Sequence, residues 1–119
     1  MHELSVVEGI REIALLHARS AGASRILSVR VVIAGFSSYL EDALAMFWDG
    51  VCATTEAAGA RLELVRIPGE LLCLDCSRNY AGVKELRCPE CGSEWVKQVS
   101  EECYVDSIAV ETPGELYDR

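Results

Sequence analysis

Four of the six cysteines in this 119-residue chain fall in two tight pairs, Cys73-Leu-Asp-Cys76 and Cys88-Pro-Glu-Cys91. A Cys-x-x-Cys pair followed, after eleven residues, by a second one has the spacing of a tetrahedral four-cysteine zinc site. Each pair wraps a tight turn that points two thiolates at one ion, and Pro89 and Gly92 supply the backbone shapes such a knuckle needs. Four thiolates close the coordination shell and leave no position for water or substrate, which makes catalytic zinc a poor reading. The same donors would also hold a single iron, as in an electron carrier. A rubredoxin is nearly all module, however, whereas about three-quarters of this chain lies outside the paired cysteines. Zinc is the expected ion. Ribbons of this kind serve nucleic-acid, protein-binding and purely structural roles, so the spacing specifies a metal and leaves the function open.

A second donor set stands at Met1-His2-Glu3. The free amine of Met1, the amide nitrogen of His2 and its imidazole can reach one ion together through small chelate rings, and the amide of Glu3 could complete a planar set. Nitrogen-rich, square-planar coordination points to Ni(II) or Cu(II) rather than zinc. Covalent geometry brings these donors together, and no fold is needed to do so. Composition alone favours the plainer reading, in which His2 is an exposed residue at the terminus. His17 reads as a helix-face histidine, and Cys52 and Cys103, outside the pairs, as small buried apolar residues.

These donors need a scaffold. Residues Glu3 to about Ala21 have helical periodicity, with Val6, Ile10, Ile13, Ala14 and His17 as the expected buried stripe and Gly22 as the stop signal. Arg25–Ala34 is rich in β-branched residues and predicts a strand, with Leu27, Val29, Val31 and Ile33 on one side. After a turn at Gly35-Phe36-Ser37-Ser38, a second helix begins near Leu40, with Ser37 or Ser38 as N-cap and Glu41 and Asp42 favouring the positive end of its dipole. Its apolar stripe is Leu40, Leu44, Phe47, Trp48, Val51 and Cys52. Strands follow over Arg61–Ile67 and Cys103–Glu111, with Pro68-Gly69 ending the first and Pro113-Gly114 opening a polar tail. The expected fold is α+β: two helices packed on a small three-stranded mixed sheet, with an inserted four-cysteine, zinc-ribbon-like module. The expected domains are residues 1–70 plus 100–119 for the α/β part and 71–99 for the module. Leu72, Leu74, Tyr80, Val83, Leu86 and Trp95 are the module's apolar side chains, too few to fold it without an ion.

Half the residues are apolar and a quarter charged, which is globular composition. Nineteen acidic against eleven basic residues give a formal net charge of −8. Such a surface repels a phosphate backbone and opposes nucleic-acid binding. No apolar run approaches the roughly 18 to 20 residues that span a bilayer, and His2, Glu3 and Glu8 stand where a secretory signal would be basic. The expectation is a cytoplasmic protein with no membrane partner, in which thiols stay reduced unless a metal takes them.

Taken in order, Met1-His2-Glu3-Leu4-Ser5-Val6-Val7, Val32-Ile33-Ala34-Gly35-Phe36-Ser37, the Leu44-x-x-Phe47 stretch and the knuckles ending in Cys88-Pro-Glu-Cys91 resemble the HypA/HybF nickel metallochaperones. The resemblance runs along essentially the whole chain. It implies a carrier, not an enzyme, that serves maturation of nickel-iron hydrogenases and, in some bacteria, urease. It implies Ni(II) held at Met1, His2 and Glu3, with the His2 imidazole indispensable and backbone nitrogens beside it, and structural Zn2+ held by Cys73, Cys76, Cys88 and Cys91. The partners it implies are a HypB-type GTPase and the hydrogenase large-subunit precursor, met by a monomer or a homodimer. Some relatives carry an acidic side chain near the start of the second helix that is linked to nickel; Leu40 stands there in this chain. A one-residue step along a helix turns a side chain by about 100°, so Glu41 and Asp42 are left out of the ligand set. A different class remains open: a zinc-ribbon interaction module with no second metal.

Overall fold

The structure is a computed structural model that describes residues 3–35, 41–82, 87–99 and 103–113. In chain order its elements are α1 (Glu3–Ser20), β1 (Arg25–Ala34), α2 (Glu41–Cys52), β2 (Arg61–Ile67), β3 (Gly69–Cys73), β4 (Asn79–Gly82), β5 (Val96–Gln98) and β6 (Cys103–Glu111). The strands form two three-stranded sheets, ordered β2-β1-β6 and β4-β3-β5. Met1, His2, the turn and N-cap residues Phe36, Ser37 and Ser38, Leu40, Val83, Leu86 and Gly114 lie outside the described residues.

Helix α1 ends because Gly22 takes a left-handed φ of 72°, open to glycine without a Cβ penalty. The amide of Ala23 donates to the carbonyl of Ala18 (2.9 Å) and that of Gly22 to Arg19 (3.1 Å), which satisfies the terminal carbonyls in a Schellman arrangement. The buried face of α1 is Val7, Ile10, Ala14, Leu15 and Ala18. That corrects the expected stripe at three positions: Val6 is only half-buried, while Ile13 and His17 are exposed. Both stripes have helical spacing, and Val7, Leu15 and Ala18 turn the buried one about Ile10 and Ala14. In α2, Leu44, Trp48 and Cys52 repeat every four residues and are buried, with Phe47 and Val51 flanking them. The Trp48 indole N–H donates to the Ala60 carbonyl at 2.9 Å, so its burial leaves no orphan donor. The two helices pack against each other. The Arg11 guanidinium of α1 donates to the Val51 carbonyl at 2.9 Å, placing a positive charge where the α2 dipole is negative.

Strand β1 is central and the most buried, as its Val- and Ile-rich sequence requires. Its alternation slips between Ile26 and Val29, both buried, so Leu27 is exposed where the count had placed it inward. Strands β1 and β2 run the same way: the Ile26 amide donates to Glu56 ahead of β2, and the Gly35 amide to Ile67 at its end. Strands β1 and β6 run oppositely, with Ser24 meeting Glu111, and with ion pairs Arg25–Glu111 and Arg30–Asp106. The sheet is therefore mixed.

The chain divides into two compact units. One comprises residues 1–31, 39–64 and 105–119, and its core is the apolar faces of α1, α2 and the first part of β1. The other comprises residues 32–38 and 65–104 and contains the second sheet. Within this second unit, a Cβ built on Gly35 would lie 2.7 Å from the amide nitrogen of Gly69, so the main chains pass too closely for a side chain. Pro68 is the single residue between β2 and β3; it ends one strand, and Gly69 already starts the next.

Candidate metal centre

Strand β3 delivers Cys73 at its last position, and the chain then turns back through Cys76 into β4. β3 pairs antiparallel with β4, Leu71 opposite Tyr80 and Leu72 opposite Asn79, and with β5, Cys73 opposite Val96. The two knuckles share one geometry. The Ser77 amide donates to the Cys73 carbonyl and the Gly92 amide to the Cys88 carbonyl, both at 2.9 Å. The residue four places after each leading cysteine has a left-handed φ, 66° at Ser77 and 76° at Gly92. Glycine does this freely, whereas serine stores strain there.

The knuckles are tied to each other. Ser93 Oγ donates to Asp75, the Leu74 amide donates to the Trp95 carbonyl at 2.7 Å, and Arg78 pairs with Glu90 at 3.3 Å. The result brings Cys73, Cys76, Cys88 and Cys91 together with all four sulfurs within 4.8 Å of one another. Two contacts cross between the knuckles, Cys73–Cys91 and Cys76–Cys88, each 3.6 Å between sulfurs. A tetrahedron with metal–sulfur bonds of about 2.3 Å has edges of about 3.8 Å, so the donor set fits a tetrahedral thiolate ion such as zinc.

The thiols are not equivalent. Cys73 and Cys88 are buried, whereas Cys76 and Cys91 are exposed. The backbone N–H of Cys76 points at the Cys73 sulfur (3.4 Å) and that of Glu90 at the Cys88 sulfur (3.3 Å). Hydrogen bonding from the Cys91 backbone, then from Glu90, brings the Cys88 thiol down to about 7. The Cys76 backbone lowers Cys73 in the same way. Cys91 receives a lowering hydrogen bond from Ser93, yet desolvation and its three thiol neighbours push it up to about 12. Cys76 is likewise raised by desolvation and by Cys88 and Cys73, against the pull of the Arg78 backbone. Two sulfurs thus ionise early and two late, and a divalent ion that takes all four must displace the remaining protons.

Met1 and His2 are outside the described residues, and Glu3 opens α1 half-buried. His17 is exposed and lines a hollow of about 270 Å³ with Ile13, Val105, Asp106, Ser107 and Ile108. Glu41 and Asp42 occupy the first turn of α2. Among the described residues, the four cysteines are the only group of three or more His, Cys, Asp or Glu side chains placed to hold an ion. Cys52 is buried in the core, and that burial pushes its thiol up to about 11. It is inert packing. Two residues escaped the sequence reading. Ser77 was legible only as the counterpart of Gly92 in the other knuckle, and Tyr80 passed as an apolar side chain although its hydroxyl is buried.

Comparison with known proteins places this geometry. A family model described as HypA, hydrogenase/urease nickel incorporation, metallochaperone, matches residues 1–110. A hydrogenase maturation factor HypA from Alkalilimnicola ehrlichii is 40% identical over 94 residues, covering 78% of this chain and 83% of the relative. The protein of the same name from Dehalococcoides mccartyi is 34% identical over 114 residues, covering 93% and 95%. Among solved structures, the Ni metallochaperone HypA from Helicobacter pylori matches with a TM-score of 0.77 at 25% identity, over 94% of this chain and 99% of that one.

Proposed function

This chain belongs to the HypA family of nickel metallochaperones that serve hydrogenase maturation, and on that footing we propose that it captures Ni(II) at its N-terminus and hands it to an apoenzyme. The ligands in this reading are the Met1 amine, the amide and imidazole of His2, and the Glu3 amide. Cys73, Cys76, Cys88 and Cys91 hold Zn2+ as a resident, structural ion. The observation that carries the reading is a division of donors. The cysteine cluster is closed by its own four sulfurs, so a transferable ion needs another donor set. The chain has only two histidines, and His17 sits on an exposed helix face with no ligand cluster among the described residues. His2 is the imidazole that remains.

The donor set also suits a carrier chemically. Chelation by backbone nitrogens and one imidazole favours Ni(II) over zinc, and a site at a chain end can release its ion without unfolding a core. Direction then comes from partners: a HypB-type GTPase and the large-subunit precursor of a nickel-iron hydrogenase, with urease as a further recipient in this reading. The protein does no substrate chemistry and acts in the cytoplasm, away from membrane and nucleic acid, as a monomer or homodimer. No helix of the described residues is long and apolar enough to cross a membrane, and a net charge of −8 opposes phosphate backbones.

The test is metal content in untagged protein. His2→Ala should lose stoichiometric nickel in equilibrium dialysis while zinc content and circular dichroism stay as in the parent. Retention of nickel at parental affinity would overturn the assignment. An N-terminal tag should impair nickel binding in the same way by blocking the amine. A parent protein that binds zinc and no second ion would leave the interaction-module reading instead.

A further inference from the structure

Tyr80 carries the one buried side-chain polar atom, among the described residues, that has no hydrogen-bond partner: its phenolic oxygen. A buried hydroxyl without a partner is costly, and such groups are rare enough to need a reason. Its position supplies one. Tyr80 lies on β4 directly opposite Leu71 of β3. Side chains alternate along a strand, so Cys73, two residues after Leu71, shares that face. Gly69, Leu71 and Cys73 are buried while Glu70 between them is exposed, which identifies the face as the inner one. Diagonal neighbours in an antiparallel pair lie about 7 to 8 Å apart, within reach of an aromatic side chain. The register therefore sets Tyr80 on the same face as Cys73, one diagonal step away. Its acidity agrees: burial lowers it first, and among the described residues the charges of Cys88, Cys73, Cys76 and Cys91 lower it further.

The sulfurs have the opposite need. Cys76 and Cys91 are exposed and can draw hydrogen bonds from water, but Cys73 and Cys88 are buried. Backbone N–H groups already face both, most directly from Cys76 to Cys73 at 3.4 Å and from Glu90 to Cys88 at 3.3 Å, with Asp75 and Cys91 adding to them. A metal-bound cysteinate away from solvent depends on such protein donors to spread its charge. A buried donor without an acceptor thus shares a face with buried sulfurs that carry charge once an ion is held.

We propose that Tyr80 is an outer-sphere positioning residue of the four-sulfur site, its hydroxyl donating to a buried cysteinate, Cys73 or Cys88, when an ion is held. The inference rests on the reading of the four cysteines as a metal site. It assigns the hydroxyl a role only in the loaded protein, and that asymmetry can be measured.

In the full-length protein, Tyr80→Phe keeps the ring and removes only the oxygen. Cobalt(II) loading followed by competition with zinc and a chromophoric chelator reads both consequences. The sulfur-to-cobalt charge-transfer band should move to lower energy, because a cysteinate without its hydrogen bond gives up an electron more easily. Zinc affinity should fall about tenfold, as is usual when an outer-shell partner of a metal ligand is removed. An unmoved band with unchanged affinity overturns the proposal. A fluorinated tyrosine at position 80 keeps the shape and strengthens the donor; it should shift the band to higher energy, and no shift again overturns the proposal. Failure of the parent protein to bind cobalt through four sulfurs would instead remove the metal-site reading itself.

Discussion

The two compact units of this chain stay folded for different reasons. In the first, α1, α2 and β1 bury Val7, Ile10, Leu15, Ile26, Val29, Val31, Leu44 and Trp48 against one another. The second unit buries Val32, Ile33 and Ala34 of β1, but among the described residues 69–99 its buried hydrophobic set is Leu71, Cys73 and Cys88. Cys73 and Cys88 are members of the sulfur cluster. Trp95 and Leu74, which a larger core would have swallowed, are 71% and 55% exposed. One region is held by apolar area removed from water, at about 25 cal/mol per Å². The residues between 69 and 99 have little such area, and the reading of the four cysteines as a metal site makes the ion the expected source of their cohesion. If so, each region should be breakable without the other.

The largest expected effect is loss of the ion. Structural zinc is worth roughly 10 to 16 kcal/mol to finger-sized peptides, far more than a single buried aliphatic side chain supplies. Chelation of the metal, or Cys88→Ser, should expose residues 69–99 to protease while helical circular dichroism from α1 and α2 persists. Survival of a protease-resistant cysteine region without metal would erase the contrast.

Next in size is the converse experiment on the helical unit. Leu44 is fully buried, and Leu→Ala at such a site costs about 2 to 5 kcal/mol. Leu44→Ala should lower the thermal midpoint of the helical signal and leave zinc stoichiometry untouched. A parallel loss of zinc would mean that the cysteine region draws its stability from the helical core after all.

The smallest effect sharpens the comparison inside the cysteine region. Ser77 and Gly92 occupy equivalent left-handed positions, yet only one is glycine. Left-handed backbone costs an ordinary residue about 1 to 2 kcal/mol. Ser77→Gly should therefore tighten zinc slightly, and Gly92→Ala should loosen it, in the same chelator competition. Equal and opposite shifts of a few-fold are expected; no change at Gly92 would show that the knuckles tolerate strain.

Much of this was legible in the sequence. The strands Arg25–Ala34, Arg61–Ile67 and Cys103–Glu111 fall where their β-branched runs place them, because a run bounded by Gly, Pro or polar residues has few other ways to bury itself. The sulfur cluster follows from spacing alone. The α1 face was misjudged because Ile13 and Val6 are apolar too, and hydropathy cannot choose between two overlapping stripes when a helix covers only one side of a core. The second sheet was missed for a different reason. Its strands β4 and β5 are only four and three residues long, below the length at which alternation is visible. They exist because β3 offers a template on both sides, a tertiary cause that leaves little local trace. The Tyr80 hydroxyl was likewise invisible until the β3–β4 register showed which face it shares with Cys73.

The close passage of Gly35 against Gly69 also decides where this protein can carry a reporter group. A side chain at Gly35 would run into the main chain of Gly69, and one at Gly69 would press on Gln98 and Gly35 at 3.2 Å, so a fluorophore or spin label at either would report on its own distortion. Gly9 and Gly50, by contrast, sit in α1 and α2 with nothing within 4 Å of an added Cβ. Replacing them by alanine should even strengthen each helix by about 1 kcal/mol. A probe at either site would meet no described neighbour within 4 Å of its point of attachment.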